Sequence, residues 1–192
     1  EIETAIHEGV PTVDWLHPFL EASRLAFADR GRYIGDSDFV EPPGGDWNTL
    51  LAPDYLAKRA ELIKQQSRGS GEARPGNPGS LETAYASQPQ QPEHGTSHIS
   101  IVDPRGQAVA MTSSIEQAFG SRIMANGGGE LDGGYLLNNE LTDFSFTPTD
   151  EQGTPIANRV QPGKRPRSSM SPTLVFERES GELVASLGAP GG

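Results

Sequence analysis

Residues 95–114 read GTSHISIVDPRGQAVAMTSS, a stretch with a period of two. Ile99 and Ile101 alternate with Ser100 and Val102, and larger and smaller side chains alternate again over 108–111, a period that is typical of β-strands. The intervening residues 104–107 (PRGQ) contain a proline and a glycine, which favour a turn. The stretch therefore predicts an antiparallel hairpin that starts directly after the dipeptide Gly95-Thr96.

The rest of the chain contains a second predicted hairpin and two predicted helices. Residues 173–177 and 183–187 are strand-like and flank a turn at 179–181. The first helix covers 16–29, and the second runs over 53–63. The stripe of the first helix that is expected to face the core consists of Leu16, Phe19, Leu20, Ser23 and Phe27, and the residues expected to face water are Glu21, Arg24 and Asp29.

Between the helices and the strands the composition changes. From residue 67 to about 93 the chain is rich in Gly, Pro, Ser, Gln and Glu and has almost no large apolar residue. Such a segment buries too little apolar surface to offset its ordering entropy. We therefore predict a helical part over 1–66, a flexible linker over 67–95 and a strand-rich part over 96–192.

Composition excludes several classes of function. The 192 residues carry 15 Lys and Arg against 26 Asp and Glu, a net charge of −11. Nucleic acids and anionic membranes require clustered positive charge, so neither is an expected partner. The chain has no cysteine, which excludes disulfides and thiolate chemistry. No apolar run approaches the ~20 residues of a membrane-spanning helix.

No metal or cofactor is predicted. The four histidines lack a metal-binding spacing such as HExxH. Residues 36–41 contain three acids that could hold calcium, but they lack the spacing of an EF-hand loop. The Gly-rich run 126–134 is not followed by the Gly-Lys-Ser/Thr of a phosphate-binding loop.

The two ends of the chain indicate a piece of a longer protein. The sequence starts at Glu1 rather than Met and stops at Gly192, straight after a strand-like run. We therefore expect further segments on both sides.

Thr96 is the first candidate for chemistry. A threonine hydroxyl is a weak nucleophile, but an N-terminal threonine can use its own α-amine as the base. That amine has a reference pKa of about 8, so it is partly neutral at physiological pH. Cleavage of the Gly95-Thr96 peptide bond would expose it, and Gly95 leaves the carbonyl unhindered. Taken alone, the dipeptide is also compatible with an ordinary strand start.

Five ordered motifs add to this junction. They read TSHISIVD from Thr96, FGS from Phe119, LNNELTDFS from Leu137, KRPRSSMSPT from Lys164 and GAPGG from Gly188. With these motifs the chain strongly resembles the γ-glutamyltranspeptidase family of N-terminal-nucleophile hydrolases. The resemblance implies an α+β fold, the four-layer αββα sandwich. It also implies that 1–66 ends a large subunit, that 67–95 leads to an autocleavage site, and that 96–192 begins a small catalytic subunit.

The resemblance implies roles in the reaction for four residues. Thr96 matches the nucleophile, first in autocleavage at Gly95-Thr96 and then in attack on a γ-glutamyl amide. Ser114 stands where the family usually has a threonine that hydrogen-bonds the nucleophilic residue. Gly191 and Gly192 match the pair whose N–H groups form the oxyanion hole.

Four further residues match the binding site for the donor substrate. Glu140 and Asp143 correspond to the family's acidic pair for the α-ammonium of the donor. Ser168 and Ser169 correspond to the adjacent hydroxyls that hold its α-carboxylate. The family's carboxylate-binding arginine lies upstream of this chain.

Three features depart from the family pattern. Glu116 replaces an asparagine of well-known transpeptidases, which places an acid beside the charged end of the substrate. The stretch between Asp143 and Ser168 has no tyrosine or tryptophan, whereas many members close the pocket there with an aromatic lid, so hydrolysis is expected to exceed transfer to an acceptor. The Gly-rich run 126–134 is expanded.

The resemblance implies γ-glutamyl donors such as glutathione, acceptors that are water, amino acids or peptides, and partners that are the remaining parts of the two subunits. It also implies a periplasmic or secreted location and no cofactor. Two alternatives stay open. One is a glutaryl amidohydrolase like the cephalosporin acylases of the same superfamily, and the other is an unprocessed, inactive precursor or fragment.

Overall fold

The computed structural model describes residues 6–7, 10–67, 73–79, 85–92, 95–126, 128 and 133–190. These residues form two compact units. Unit 1 comprises Glu1–Pro89 with Thr147–Arg165, and unit 2 comprises Gln90–Phe146 with Pro166–Gly192. None of the helices in the described ranges combines the length and apolar character needed to cross a membrane.

Unit 1 is built on two helices. Two short antiparallel strands of two residues each, β1 (Ile6–His7) and β2 (Val10–Pro11), come first. They are followed by α1 (Val13–Tyr33) and α2 (Pro53–Ala60). The first helix therefore extends beyond the predicted 16–29 at both ends. Because it begins at Val13, Pro18 lies inside the helix rather than in its first turn.

The buried face of α1 differs from the predicted stripe. Phe19, Leu20 and Phe27 are each about half exposed. The buried side chains instead follow one another at a spacing of four residues, as Glu21, Leu25, Asp29 and Tyr33. The expectation that Glu21 and Asp29 face water was wrong, because both carboxylates find hydrogen-bond partners inside the unit.

Asp29 illustrates how unit 1 buries charge. Its Oδ2 accepts a hydrogen bond of 2.7 Å from the Tyr55 hydroxyl, and its Oδ1 accepts one of 2.7 Å from the Gly76 N–H. The guanidinium of Arg59 lies 3.3 Å away. A buried carboxylate is tolerated only with such partners, so this cluster fixes α2 against α1.

Parts of the predicted linker are held against α1. The Tyr33 hydroxyl donates to the Gly76 carbonyl at 2.5 Å, and the Gln88 N–H donates to the Gly31 carbonyl at 2.9 Å. These hydrogen bonds are made to backbone carbonyls, so they cannot be predicted from the side-chain composition of the segment. The division of the chain at 67–95 itself stays a prediction.

The segment 147–165 belongs to unit 1. Ile156, Ala157 and Asn158 are fully buried there. At its end, Arg165 donates through its backbone N–H and its guanidinium to the carboxylate of Asp36, at 2.6 to 3.0 Å. The side-chain and backbone hydrogen bonds from Arg165 hold the pKa of Asp36 well below its usual range.

Unit 2 contains both predicted hairpins, which are confirmed. β3 (Ser97–Val102) pairs with β4 (Ala108–Ser113), and the short strands β5 (Met124–Ala125) and β6 (Tyr135–Leu136) pair with each other. β7 (Thr173–Phe176) then pairs with β8 (Leu183–Leu187). The Ser186 hydroxyl of β8 donates to the Val109 carbonyl of β4 at 3.2 Å, which joins the two hairpins.

Substituting Tyr55→Phe tests the buried cluster of unit 1. The change removes one donor from a buried carboxylate and leaves the ring in place. We expect the free energy of unfolding of the full-length protein to fall by about 1–3 kcal/mol in urea titrations. The same substitution at the exposed Tyr135 is the matched control and should cost under about 0.5 kcal/mol. Equal losses at both positions would show that the hydroxyl of Tyr55 contributes nothing specific.

Candidate active site

The register of the first hairpin brings Thr96 beside Ser114. Ser97 pairs with Ser113 at the end of the ladder, so the next residue of each strand lies opposite the other. The Thr96 hydroxyl donates to Ser114 Oγ at 3.1 Å. The structure thus brings the two residues into contact, and their roles in the reaction stay a prediction.

The backbone of Thr96 is anchored as well as its side chain. Its N–H donates to the Pro190 carbonyl at 2.6 Å. Pro190 follows β8 and directly precedes Gly191 in the sequence. Gly191 and Gly192 themselves lie outside the described residues, and their role stays a prediction.

The backbone at Gly188, just after β8, lies close to the ring of His98. A Cβ added there would lie 2.2 to 2.7 Å from ring atoms of His98. The His98 ring is held in turn by the Thr112 hydroxyl, 2.8 Å from Nδ1, and by the Ser100 hydroxyl, 3.0 Å from Nε2. His98 therefore packs against the backbone beside the nucleophile.

Glu116 is buried next to Ser114. Its N–H donates to Ser114 Oγ at 2.9 Å, and its carboxylate accepts a short hydrogen bond from the side-chain amide of Asn139. Its φ is +69°, a left-handed conformation that non-glycine residues seldom adopt. Such strain persists only where the surroundings determine the conformation, and here the bonds to Ser114 and Asn139 do so.

Glu140 and Asp143 lie on one 3₁₀ turn, Glu140–Asp143, and form an acidic cluster with Glu116. Burial and the neighbouring Asp143 raise the pKa of Glu140 to about 7, and the charge of Glu116 adds to the rise. A hydrogen bond from Ser114 opposes it. Glu140 Oε1 is buried without a hydrogen-bond partner in the described part of the chain. The cluster therefore favours a cation that would compensate its charge.

The two predicted carboxylate-binding serines lie just before β7. Ser168 is exposed, and its hydroxyl accepts a hydrogen bond from the Met170 N–H at 3.2 Å. The Ser169 carbonyl accepts one from the Ser171 hydroxyl at 3.4 Å. These contacts are local, and the role of both residues at the donor carboxylate stays a prediction.

The remaining candidates have structural contacts. Asp36 and Asp38, considered for calcium, both bind Arg165. In the described ranges, no group of three or more acids or histidines could hold a metal ion.

Sequence reasoning missed the residues that position this site. Asn139 stands inside a motif that was recognised, but its contacts to Glu116 and to the Gln117 N–H follow only from the folded turn. The Pro190 carbonyl carries no side-chain signal at all. Both were detectable only as neighbours of residues with assigned roles.

Comparison with known proteins identifies the family of this chain. The family model for γ-glutamyltranspeptidase matches residues 3–192, nearly the whole chain. The chain belongs to the γ-glutamyltranspeptidase family. The resemblance inferred from the five motifs is thereby confirmed.

Two relatives of this chain carry the name glutathione hydrolase proenzyme. It is 39% identical to the Bacillus subtilis protein over 90% of this chain and 27% of that one. It is 37% identical to the Escherichia coli protein over 96% of this chain and 29% of that one. The chain thus spans under a third of the length of these relatives.

Solved structures of γ-glutamyltranspeptidases are also similar in sequence. The enzyme of Pseudomonas nitroreducens, crystallised with L-DON, is 40% identical over 45% of this chain and 43% of that one. The TM-score of 0.35 is too low to support a common arrangement of layers. The helices and sheets of both units are consistent with the predicted α+β class.

Substituting Glu140→Gln tests the electrostatics of the acidic cluster. The pKa of Glu140 is raised from 4.5 to about 7 in the folded protein, so the folded state loses stability as pH rises from about 4.5 to about 7. The glutamine variant escapes this loss. We measure the difference in Tm between the variant and the unsubstituted full-length protein. We expect this difference to favour the variant more at about pH 8 than at about pH 5.

The matched control is Glu182→Gln, which removes one exposed charge from the same unit. Its Tm difference should not change over this pH range. A difference for Glu140→Gln that is equally flat would show that Glu140 titrates normally.

Proposed function

We propose that this chain carries the nucleophile and the ammonium-binding part of a γ-glutamyl amide hydrolase and transpeptidase. The observation that carries the proposal is the 3.1 Å hydrogen bond from the Thr96 hydroxyl to Ser114. Thr96 directly follows Gly95 in the sequence, and Ser114 lies next to Glu140 of the acidic cluster. Family membership and the names of the relatives support it.

The first step proposed is autocleavage. Thr96 Oγ attacks the Gly95 carbonyl carbon, the C–N bond to Thr96 breaks, and the hydroxyl proton ends on the departing nitrogen. The resulting ester between Gly95 and Thr96 Oγ is hydrolysed by water. Gly95 then ends in a carboxylate, and Thr96 acquires the free α-amine that an N-terminal nucleophile requires.

The second step is acyl transfer. The α-amine of Thr96 takes the hydroxyl proton while Oγ attacks the γ-carbonyl of the donor, and the leaving amine departs with a proton. Ser114 orients Oγ through the hydrogen bond described above. The N–H groups of Gly191 and Gly192 are proposed to stabilise the oxyanion. Water or an acceptor amine then attacks the acyl-enzyme.

Donor recognition rests on charge. Glu116, Glu140 and Asp143 together suit an α-ammonium, whose binding would stabilise the ionised form of Glu140 and lower its pKa. Ser168 and Ser169 are proposed to hold the α-carboxylate. A glutaryl amide has no ammonium, so three carboxylates favour γ-glutamyl donors such as glutathione over the acylase alternative.

The acceptor side is proposed to favour water. Segment 147–165 contains no tyrosine or tryptophan and packs within unit 1. Without an aromatic cover, water reaches the acyl-enzyme, and hydrolysis is proposed to exceed transpeptidation.

The rest of the assembly is also a proposal. The four-layer αββα sandwich would place the two hairpins at its centre, and their exposed apolar side chains, such as Ile99, Ile101 and Val109, are what strands packed between layers require. The active protein would be a heterodimer of large and small subunits formed by cleavage. A periplasmic or secreted location rests on the resemblance alone.

Thr96 substitutions test the nucleophile. In the full-length protein, Thr96→Ala should remain a single chain, whereas Thr96→Ser keeps a hydroxyl and should still cleave. Edman sequencing of the small fragment should start Thr96-Ser97-His98. Any other N-terminus would remove Thr96 from the mechanism, and an unsubstituted protein that stays uncleaved would favour the inactive-precursor alternative.

Asp143→Asn tests the ammonium site, since it keeps the shape and removes one charge. With the processed full-length enzyme we expect kcat/KM for γ-glutamyl-p-nitroanilide to fall about 30-fold or more, because an ion pair to the donor is lost. Autocleavage should persist. Glu182→Gln serves again as the single-charge control and should leave kcat/KM unchanged.

Glutaryl-p-nitroanilide separates the two substrate classes. If it is the better substrate of the unsubstituted enzyme, the glutaryl acylase alternative replaces the γ-glutamyl assignment.

A further inference from the structure

Gln91 makes three hydrogen bonds to the loop that carries the acidic pair. Its side-chain Nε2 donates to the carbonyls of Thr142 and Phe144, at 3.1 and 3.0 Å. Its Oε1 accepts from the Phe146 N–H at 3.3 Å. A carboxamide has two N–H donors, so both are used in this contact.

The loop that receives Gln91 is itself fixed. Phe144 and Ser145 are only 3% and 6% exposed and belong to the interior of unit 2. The preceding turn is tied through Asn139, whose amide donates to the Thr142 hydroxyl at 3.3 Å. Gln91 is therefore attached to a firm part of the unit.

Gln91 also lies close in sequence to the scissile bond. Three residues lie between it and Gly95, and the four Cα–Cα steps from Gln91 to Gly95 span at most about 14 Å. Pro92 follows directly, has a fixed φ and restricts Gln91 to extended conformations. The backbone of Gln91 is therefore restricted as well as its side chain.

The other side of the scissile bond has its own anchors. The Thr96 N–H is bound to the Pro190 carbonyl, and the residues after Thr96 belong to β3. Gly95 lies between the two anchored sides, and a Cβ at its position would meet nothing within 4 Å. A side chain at this position would therefore meet open space.

We propose that Gln91 is a positioning residue for cleavage of the Gly95-Thr96 bond. It holds the carbonyl side of the bond near Thr96 Oγ, while Pro190 and β3 hold the amine side. An intramolecular attack gains rate from such fixed geometry, because the reacting atoms stay close. Gln91 touches no reacting atom. The inference rests on the proposed function, since it assumes that this bond is cleaved.

The test measures first-order cleavage of freshly translated full-length precursor by gel and intact mass. Gln91→Glu keeps the shape but directs a carboxylate at two carbonyl oxygens, and Gln91→Met removes all three hydrogen bonds without adding charge. We expect the cleavage rate of each variant to be at least about tenfold lower than that of the unsubstituted precursor. Gln90→Glu, at the exposed neighbouring position, is the matched control and should cleave within about twofold of the unsubstituted rate.

A pH profile separates positioning from a general loss of structure. As pH falls toward about 4.3, the carboxylate introduced by Gln91→Glu takes up a proton and regains one donor. The ratio of its rate to the unsubstituted rate should then rise, while the ratio for Gln91→Met should stay flat.

Each outcome decides between two claims. Unsubstituted precursor that never cleaves overturns the proposed function, and this inference with it. Unsubstituted precursor that cleaves at Gly95-Thr96 while both Gln91 variants match Gln90→Glu overturns the inference alone. Slow cleavage with ratios that do not depend on pH for either variant would assign Gln91 a purely structural role.

Discussion

The site depends on the pairing register of β3 with β4. Side chains alternate between the faces of a strand, so a slip by one residue would move every side chain of β3 to the opposite face. In the observed register Ser97 pairs with Ser113, and Thr96 therefore meets Ser114. The turn fixes this register, because the Asp103 carboxylate accepts hydrogen bonds of 2.8 Å from the N–H groups of Arg105 and Gln107. A local turn thus determines the partner of the nucleophile.

The acidic residues of unit 1 and those of the candidate site in unit 2 have different surroundings. In unit 1 two buried acids have donors and cations beside them, since Asp29 binds Tyr55 and Arg59, and Asp36 binds Arg165. In unit 2, Glu140 lies beside Asp143 and Glu116, and burial together with these neighbouring acids raises the pKa of Glu140 to about 7. The net charge of −11 therefore does not describe the site. What distinguishes the site is the placement of three carboxylates, Glu116, Glu140 and Asp143, beside one another.

The sequence predicted best what depends on local patterns. Alternation and turn residues located both hairpins, whereas the roles that the motifs imply for Thr96, Ser114 and the acidic pair stay predictions. The buried face of α1 was predicted wrongly, because apolar spacing favours Phe19 and Phe27 whereas burial follows the partners that Asp29 finds in α2. Gln91 gave no signal, since its Pro- and Gln-rich surroundings are typical of a linker. Long-range hydrogen bonds of polar residues leave no periodic trace in a sequence.

Trapping the acyl-enzyme tests the central claim, that the hydroxyl of Thr96 is the nucleophile, most directly. Processed full-length enzyme is mixed with γ-glutamyl-p-nitroanilide, quenched with acid during turnover and mapped by peptide mass spectrometry. The account predicts one glutamyl group in ester linkage on the peptide that begins at Thr96, and none after Thr96→Ala. A glutamyl group on any other residue, or steady turnover with no covalent adduct, would contradict it.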